Sequence, residues 1–338
     1  MRSATLKTIL LLASVTMTIL GAEGFMVWLD LYRPVKRFYV DDRQSQYNPN
    51  FIADTATGWR MRPNHSFSWR RGSPTEYRAG SNGFRIGRTE IPVPYRHSIA
   101  ILGDSFIWGT GVAFGQTVGQ VVATSVDSTI VRNYAMPGFG VDQIYRSLQR
   151  QVLPTDPDLV VIGLFTDDFN RSFTAYRWVE KFTKPVFHAI QGKPVESTAT
   201  DNPGPMYRWV ESSSRLFAFL RHVDRWAGLN FGWGDWWSLN ESLIDAMRIA
   251  CSEAEVPVLF VHIPYKIGTP FPALESYMSR NEVQYIDLNA ITTREQRREL
   301  YFRDDGHLNS TGHAFLGRRI ARWAEQLHLN VPSDSLSH

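Results

Sequence analysis

The chain has a single cysteine, Cys251, in 338 residues. One thiol forms no intrachain disulfide, so covalent cross-links contribute nothing to the fold. Cys/His clusters with zinc-ligand spacing are missing too, and the sequence implies no metal and no cofactor. Charge of one sign is not in excess: 36 basic residues stand against 33 acidic ones, a net +3, with no long basic run. Nucleic acid is therefore not an expected partner. There is no internal repeat and no low-complexity tract, which excludes a solenoid or a mainly disordered chain. Aromatics, in contrast, are plentiful, with 11 Trp. Such rings fill cores and also line sites for sugars or lipids.

One apolar run is long. Arg2 and Lys7 precede a stretch from Thr8 to Leu29 whose only charge is Glu23. About 20 apolar residues span a bilayer as a helix. Basic residues on the short side predict residues 1–7 as a cytoplasmic tail, 8–29 as an uncleaved anchor and the remainder outside. The rival is a signal peptide cut after Ala22, with secretion of the rest. Leu20 fits the small-residue cleavage pattern poorly, and the apolar run resumes after Glu23 with Phe25, Met26, Val27 and Trp28. Glu23 is expected near the outer interface, where a carboxylate is cheaper than at mid-membrane.

Residues 30–96 carry no helical period. Extended segments and turns packing on the main domain are expected there, with a turn at "GSNG". Arg70 and Arg71 beside Trp69 read as a solvated face or an anion patch. From His97 the pattern alternates. The runs "SIAILG", "TIVRNYA", "DLVVIGLF", "VPVLFVHIP" and "VQYIDL" have strand length and are apolar throughout, as strands covered on both faces are. Between them lie helical periods at Val141, Ile144, Leu148 and Val152, and at Leu243, Ile244 and Met247. A last one follows at Phe315, Ile320 and Trp323. The expected fold is therefore α/β: a three-layer α/β/α, flavodoxin-like domain over 97–327 with a mostly parallel five-stranded sheet. An aromatic-rich insertion at 172–239 interrupts it, and 328–338 form a flexible tail.

Ligands of such sheets bind at the carboxyl ends of the strands. There the sequence places Gly103-Asp104-Ser105, then "NYAMPGFG", then "FTDDFNR", then "RDDGHLN". A serine hydroxyl needs a base to become a nucleophile, and His307 is the natural one. An aspartate must orient that imidazole: Asp304 can fold back from three positions earlier, with the adjacent Asp305 as rival. The Ser105 and Gly138 N–H groups are candidate oxyanion donors. Asp104, Asp168 and Asn170 are candidate substrate-binding residues. His262, ending the fourth strand, reads as a packed, hydrogen-bonded core residue.

Together these blocks resemble the SGNH hydrolase family, the GDSL-type esterases and lipases. "GDSF" matches the nucleophile block through Ser105. "NYAMPGFG" matches the second block through Gly138, and the family's Asp-x-x-His falls on Asp304 and His307. With "GWRMRPN", "SNGFR" and the anchor upstream, the chain looks like a bacterial membrane-tethered branch of that superfamily. In its third block the family has an asparagine whose NH₂ donates to the oxyanion. Here Asp167 holds that place, and an ionised carboxylate cannot donate. Either Asp167 is protonated, or Asn170 or Thr166 supplies the donor, or the site is slow or devoted to something other than ester hydrolysis.

What the resemblance implies is a serine-dependent ester hydrolase of the inner membrane facing the periplasm. Its implied substrate is an acylated cell-envelope glycan or a small ester. An O-acyltransferase using the same acyl-enzyme and a catalytically impaired glycan-binding protein are the alternatives.

Overall fold

In the computed structural model the described residues are 2–33, 49–71, 73–87, 95–173, 176–177, 182–197, 205–264 and 270–327. The expected tail at 328–338 lies outside them, and so do the side chains of Trp69, Arg70 and Arg71.

The apolar N-terminal run forms helix α1 (Arg2–Trp28). Its 24 residues from Thr5 to Trp28 are long and apolar enough to cross a membrane, and almost all are exposed. Glu23 is not isolated. Ser214 Oγ and the N–H groups of Arg215 and Leu216 donate to its carboxylate at 2.8, 2.7 and 2.9 Å. The charge that interrupts the span thus caps the N-terminus of another helix, where a carboxylate is stabilised by unpaired N–H groups.

Residues 49–87 form a separate β layer. Phe51–Asp54 pairs with Gly58–Met61, and Ser66–Arg71, Ser73–Ala79 and Arg85–Ile86 make a three-stranded antiparallel sheet. Trp59, Met61 and Tyr77 are buried in it, and Tyr77 stacks on Trp108 of the main domain at 4.3 Å.

The main sheet has five strands: β1 (His97–Leu102), β2 (Thr129–Asn133), β3 (Leu159–Phe165), β4 (Val258–Ile263) and β5 (Tyr285–Asp287). Their order is β2-β1-β3-β4-β5, and every neighbouring pair is parallel. This is the flavodoxin-like order expected. All seven residues of β3, Leu-Val-Val-Ile-Gly-Leu-Phe, are buried, because helices cover both faces.

In chain order the helices are α2 (Ser105–Trp108), α3 (Val118–Ser125), α4 (Val141–Ser147), α5 (Asp168–Arg171), α6 (Pro205–Ser213) and α7 (Arg215–Phe231). Then come α8 (Gly234–Glu253), α9 (Pro272–Arg280), α10 (Arg294–Leu300) and α11 (Ser310–Gln326). α3 connects β1 to β2, α4 connects β2 to β3, and α4 packs on α8. α11 packs on α3 and α7 packs on α8. The aromatic-rich insertion consists of short strand pairs at 176–196, then α6, α7 and the first turns of α8.

Candidate active site

Ser105 is presented by the turn between β1 and α2. Gly103 has φ +154°, and a Cβ there would sit 2.7 Å from Cγ1 of Ile107, so the turn requires glycine. Asp104 caps α2 by accepting the N–H of Phe106 at 2.9 Å. The short helix that follows buries Phe106, Ile107 and Trp108 beneath the serine.

Oγ of Ser105 lies 2.9 Å from Nε2 of His307. Nδ1 of the same ring is 3.2 Å from Oδ2 of Asp305. The other carboxylate oxygen of Asp305 accepts the backbone N–H of His307 at 2.9 Å. Serine, histidine and aspartate therefore form a chain in which each group can pass or hold a proton. The Nδ1 contact has ion-pair distance without the alignment of a hydrogen bond. Phe106 lies against the imidazole at 4.7 Å and stacks on Phe165 at 4.3 Å, which gives the ring an apolar wall.

The structure corrects the acid. Asp304 was the expected orienting residue, but it is exposed, and Asp305 faces the ring. The cause is local. An Asx turn, in which the Asp305 side chain accepts the N–H two residues on, folds that carboxylate back onto His307. Gly306 at φ +77° allows the tight path.

The two N–H groups expected to receive an oxyanion both lie in strand-end loops. Gly138 sits in the loop after β2 with φ +84°, and neither its N–H nor that of Ser105 has an acceptor among the described residues. The loop is braced from outside: the Trp59 indole donates to the Pro137 carbonyl at 3.1 Å, and Trp59 packs on Phe139 at 5.5 Å. Asn133, opening the same block, accepts from Ala135 N–H and donates to the Ile107 carbonyl, tying the second block to the first.

The third block is an ion network centred on Arg171. Its Nη1 donates to Asp104 at 2.9 Å, to Asp168 at 2.6 Å and to the Phe139 carbonyl at 3.0 Å. Nε lies 3.4 Å from Asp167. Asp168 is fully buried and also accepts the Phe165 N–H. Burial first, and the neighbouring Asp104 charge second, push its carboxyl well above the usual range, against the pull of Arg171. The Arg171 guanidinium is held charged by these carboxylates, whose pull outweighs its burial.

This arrangement changes three sequence assignments. Asp104 and Asp168, expected to bind substrate, are buried in the network and occupied by Arg171. Asn170 is held at both ends, donating to Asp167 at 2.8 Å and accepting from the Trp236 indole at 3.1 Å. The Thr166 hydroxyl is likewise engaged, by Nε2 of His262 at 3.1 Å. His262 in turn holds Asp287 at 2.9 Å and is fully buried, a cross-link between the ends of β3, β4 and β5. Asp167 itself is 41% exposed and paired with Arg171 and Asn170.

The Ser105 hydroxyl has two acceptors in reach, His307 Nε2 and, at 3.2 Å, Oδ2 of Asp104. It has one proton to give. Asp104 is already satisfied by Arg171 and Phe106 N–H, and the shorter contact is to His307. The proton therefore goes to Nε2, which fixes the tautomer with N–H on Nδ1 facing Asp305.

Two further supports come from the β layer and were not read from the sequence. Arg85 is buried and donates to the carbonyls of Trp108, Gly109 and Val112 at 2.8, 2.6 and 2.7 Å, with its guanidinium against the stacked rings of Tyr77 and Trp108. The Tyr77 hydroxyl accepts the Gly111 N–H at 2.7 Å. Both hold the segment that leaves the nucleophile.

No protein-family profile matches the chain, and no curated protein does. Solved structures do. A psychrotrophic esterase from a Pseudoalteromonas species is 11% identical over 70% of this chain and all of its own, with a TM-score of 0.41. A lipase/acylhydrolase from Enterococcus faecalis is 16% identical over 69% of this chain and 97% of its own, with a TM-score of 0.40. A member of the lipolytic G-D-S-L family from Veillonella parvula is 14% identical over 69% of this chain and 99% of its own, with a TM-score of 0.37.

Proposed function

We propose that the chain is a membrane-tethered, serine-dependent carboxylic ester hydrolase. The observation that carries this is the 2.9 Å contact between Ser105 Oγ and His307 Nε2, with Asp305 behind the ring at 3.2 Å. As the ester carbonyl enters, Ser105 Oγ attacks carbon while His307 takes the hydroxyl proton. The carbonyl oxygen becomes an oxyanion and receives the N–H groups of Ser105 and Gly138. Asp305 stabilises the imidazolium so formed and keeps Nε2 aimed at the reacting atoms. His307 then gives its proton to the leaving alcohol, which leaves an acyl-serine. Water attacks that ester by the same route in reverse, with His307 as base, and releases the acid and free Ser105.

Arg171 offsets the carboxylates of the third block, which would otherwise repel an oxyanion. With backbone donors alone the site is slower than one with a third donor, since each such donor is worth about a hundred- to a thousand-fold. The substrate we propose is an O-acylated glycan of the cell envelope, with α1 in the inner membrane and the domain on the outer side of it.

A chromogenic acetyl ester and a serine-directed phosphonate test the reading on the full chain in detergent. The phosphonate should label Ser105. Ser105→Ala should lose label and turnover together, by at least about a thousand-fold, while the fold is kept. Turnover by Ser105→Ala equal to the parent protein would overturn it. Products from acetylated envelope glycan, with and without an acceptor sugar, then tell hydrolysis from acyl transfer.

A further inference from the structure

We propose that the exposed apolar stripe of α7, with the rings that follow it, lies on the lipid surface beside the anchor, so that the domain docks on the bilayer by a second contact. This rests on α1 spanning a bilayer.

Leu220, Val223, Trp226 and Phe231 fall on one side of α7 and are 40–55% exposed. Trp233, just beyond the C-cap Gly232, is 67% exposed. Trp226, Phe231 and Trp233 touch in sequence, with ring centres 5.2 and 5.3 Å apart. On α6, Met206 and Trp209 are exposed as well. Large rings gathered on an open face cost free energy in water, and an aromatic-rich belt with one wet side suits a membrane interface. The rest of α7 is basic: Arg215, Arg221 and Arg225 stand against a single acid, Asp224. An amphipathic helix with an apolar stripe and a basic flank fits an anionic lipid surface.

The stripe is continuous with the anchor, which is why lipid is the occupant. Glu23 holds the first turn of α7 through its three contacts. Arg215 pairs with Asp30 at 2.8 Å and donates to the Leu31 carbonyl at 3.0 Å. Tyr32 packs on Phe219 at 5.0 Å and on His222 at 5.4 Å. Phe219 lies one turn before Val223, on the edge of the stripe. The exposed rings of Phe25 and Trp28 end the span. Where the apolar span stops, the apolar stripe of α7 therefore begins.

The docked helix also reaches the catalytic loops. Gly228 of α7 is packed so closely on Trp236 that a Cβ would lie 2.5 Å from its ring. Trp236 donates to Asn170, which holds Asp167.

Site-specific labelling tests this on the full chain in vesicles of phosphatidylethanolamine and phosphatidylglycerol. Cys251 is buried, with its thiol pushed up to about 12 by burial, so an introduced cysteine takes the label. An environment-sensitive fluorophore is placed in turn at Ile19→Cys in the span, Val223→Cys on the stripe and Glu325→Cys on α11. Glu325 is exposed on α11, which packs on α3, whereas α7 packs on α8. Vesicles then carry nitroxide lipids with the quencher shallow or deep. The expected result is strong quenching at position 19 by the deep probe and several-fold stronger quenching at 223 than at 325, mainly by the shallow probe. Trp226→Ser/Phe231→Ser/Trp233→Ser should lower quenching at 223 and leave turnover of a soluble ester unchanged. Quenching at 19 with 223 no different from 325 would overturn the docking and leave the anchor standing. Quenching at neither 19 nor 223 would overturn both. Self-quenching of the 223 label that grows with protein density, without nitroxide quenching, would assign the face to a second copy and overturn the proposal.

Discussion

Asp305 is the better candidate for the orienting acid because a turn holds its carboxylate beside the ring. One carboxylate oxygen is fixed by the His307 N–H, and this aims the other at Nδ1. Asp304 has no such turn and stays in solvent. Asp305→Asn should keep the Asx turn but lose the charge behind the imidazole, and kcat should fall on the order of a thousand- to ten-thousand-fold. Asp304→Asn should change it less than about twofold, as exposed groups away from the reacting atoms do. Steady-state kinetics of the two variants decide the assignment, and the reverse ranking would return the role to Asp304. Asp167 calls for a second variant. Its partners are Arg171 and Asn170, so Asp167→Asn should weaken a half-exposed pair and lower turnover by less than about tenfold at every pH. A rise approaching a hundred-fold would mean that position 167 faces the oxyanion after all. Ser105 and Gly138 were legible as candidates because each sits in a loop just past an apolar strand, and His307 because it lies in a polar loop ahead of the last helical period. The choice of Asp305 was not, because two adjacent aspartates differ only in turn geometry. Nor was the reach of Arg171, whose partners Asp104 and Phe139 lie 67 and 32 residues away.

At the scale of elements, the β layer at 49–87 is more than a cover for the sheet. Through Arg85 and Tyr77 it fixes the end of α2, and through Trp59 it fixes the loop that carries Gly138. Arg85 is a positioning residue whose guanidinium burial pulls down to about 10, so it stays charged at neutral pH. Its fork spans three carbonyls, and an ammonium on a flexible stem cannot reproduce that. Arg85→Lys should lower stability by about 2–3 kcal/mol, as lost charge-assisted hydrogen bonds do. It should lower kcat by about ten- to a hundred-fold with KM little changed, since small misplacement of a nucleophile is expensive. Chemical denaturation and kinetics measure the two effects, and a change confined to stability would make Arg85 a purely structural brace. The five main strands were legible from composition because they are buried on both faces. The β layer was read only as extended segments, since its short strands lack a period, and its contacts to the catalytic loops join segments far apart in sequence.

Across the whole molecule, α3 and α11 are locked together by a buried histidine. His313 on α11 accepts the N–H of Val118, the first residue of α3, at 3.2 Å through Nδ1. It thereby joins the helix that follows His307 to the helix that follows the Ser105 segment. Protonation would destroy that acceptor and place a positive charge at a helix N-terminus. Burial first, then the charges of Arg85 and His307, pull its pKa down to about 3. In the unfolded chain an ordinary histidine titrates near 6.5. The unfolded state therefore binds the proton first as pH falls, and the contribution of His313 is fully present above about pH 6.5. It is lost on acidification between that value and about 3, with about 2 kcal/mol gone by pH 5. His313→Asn keeps an acceptor near Nδ1 but cannot charge. Its stability at neutral pH should be lower because volume is lost from the core, and its decline from pH 7 to pH 5 should be shallower than that of the parent by about the same 2 kcal/mol. Urea unfolding of both proteins in one detergent at the two pH values gives the comparison. Parallel declines would show that His313 does not set the acid limit. The Asp168 carboxyl, raised by burial and by Asp104, acts with the opposite sign, since a buried acid favours the folded state most when it is protonated. Acid destabilisation that persists in the parent but not in the variant must then come from the α3–α11 contact and not from the ion network at the catalytic loops.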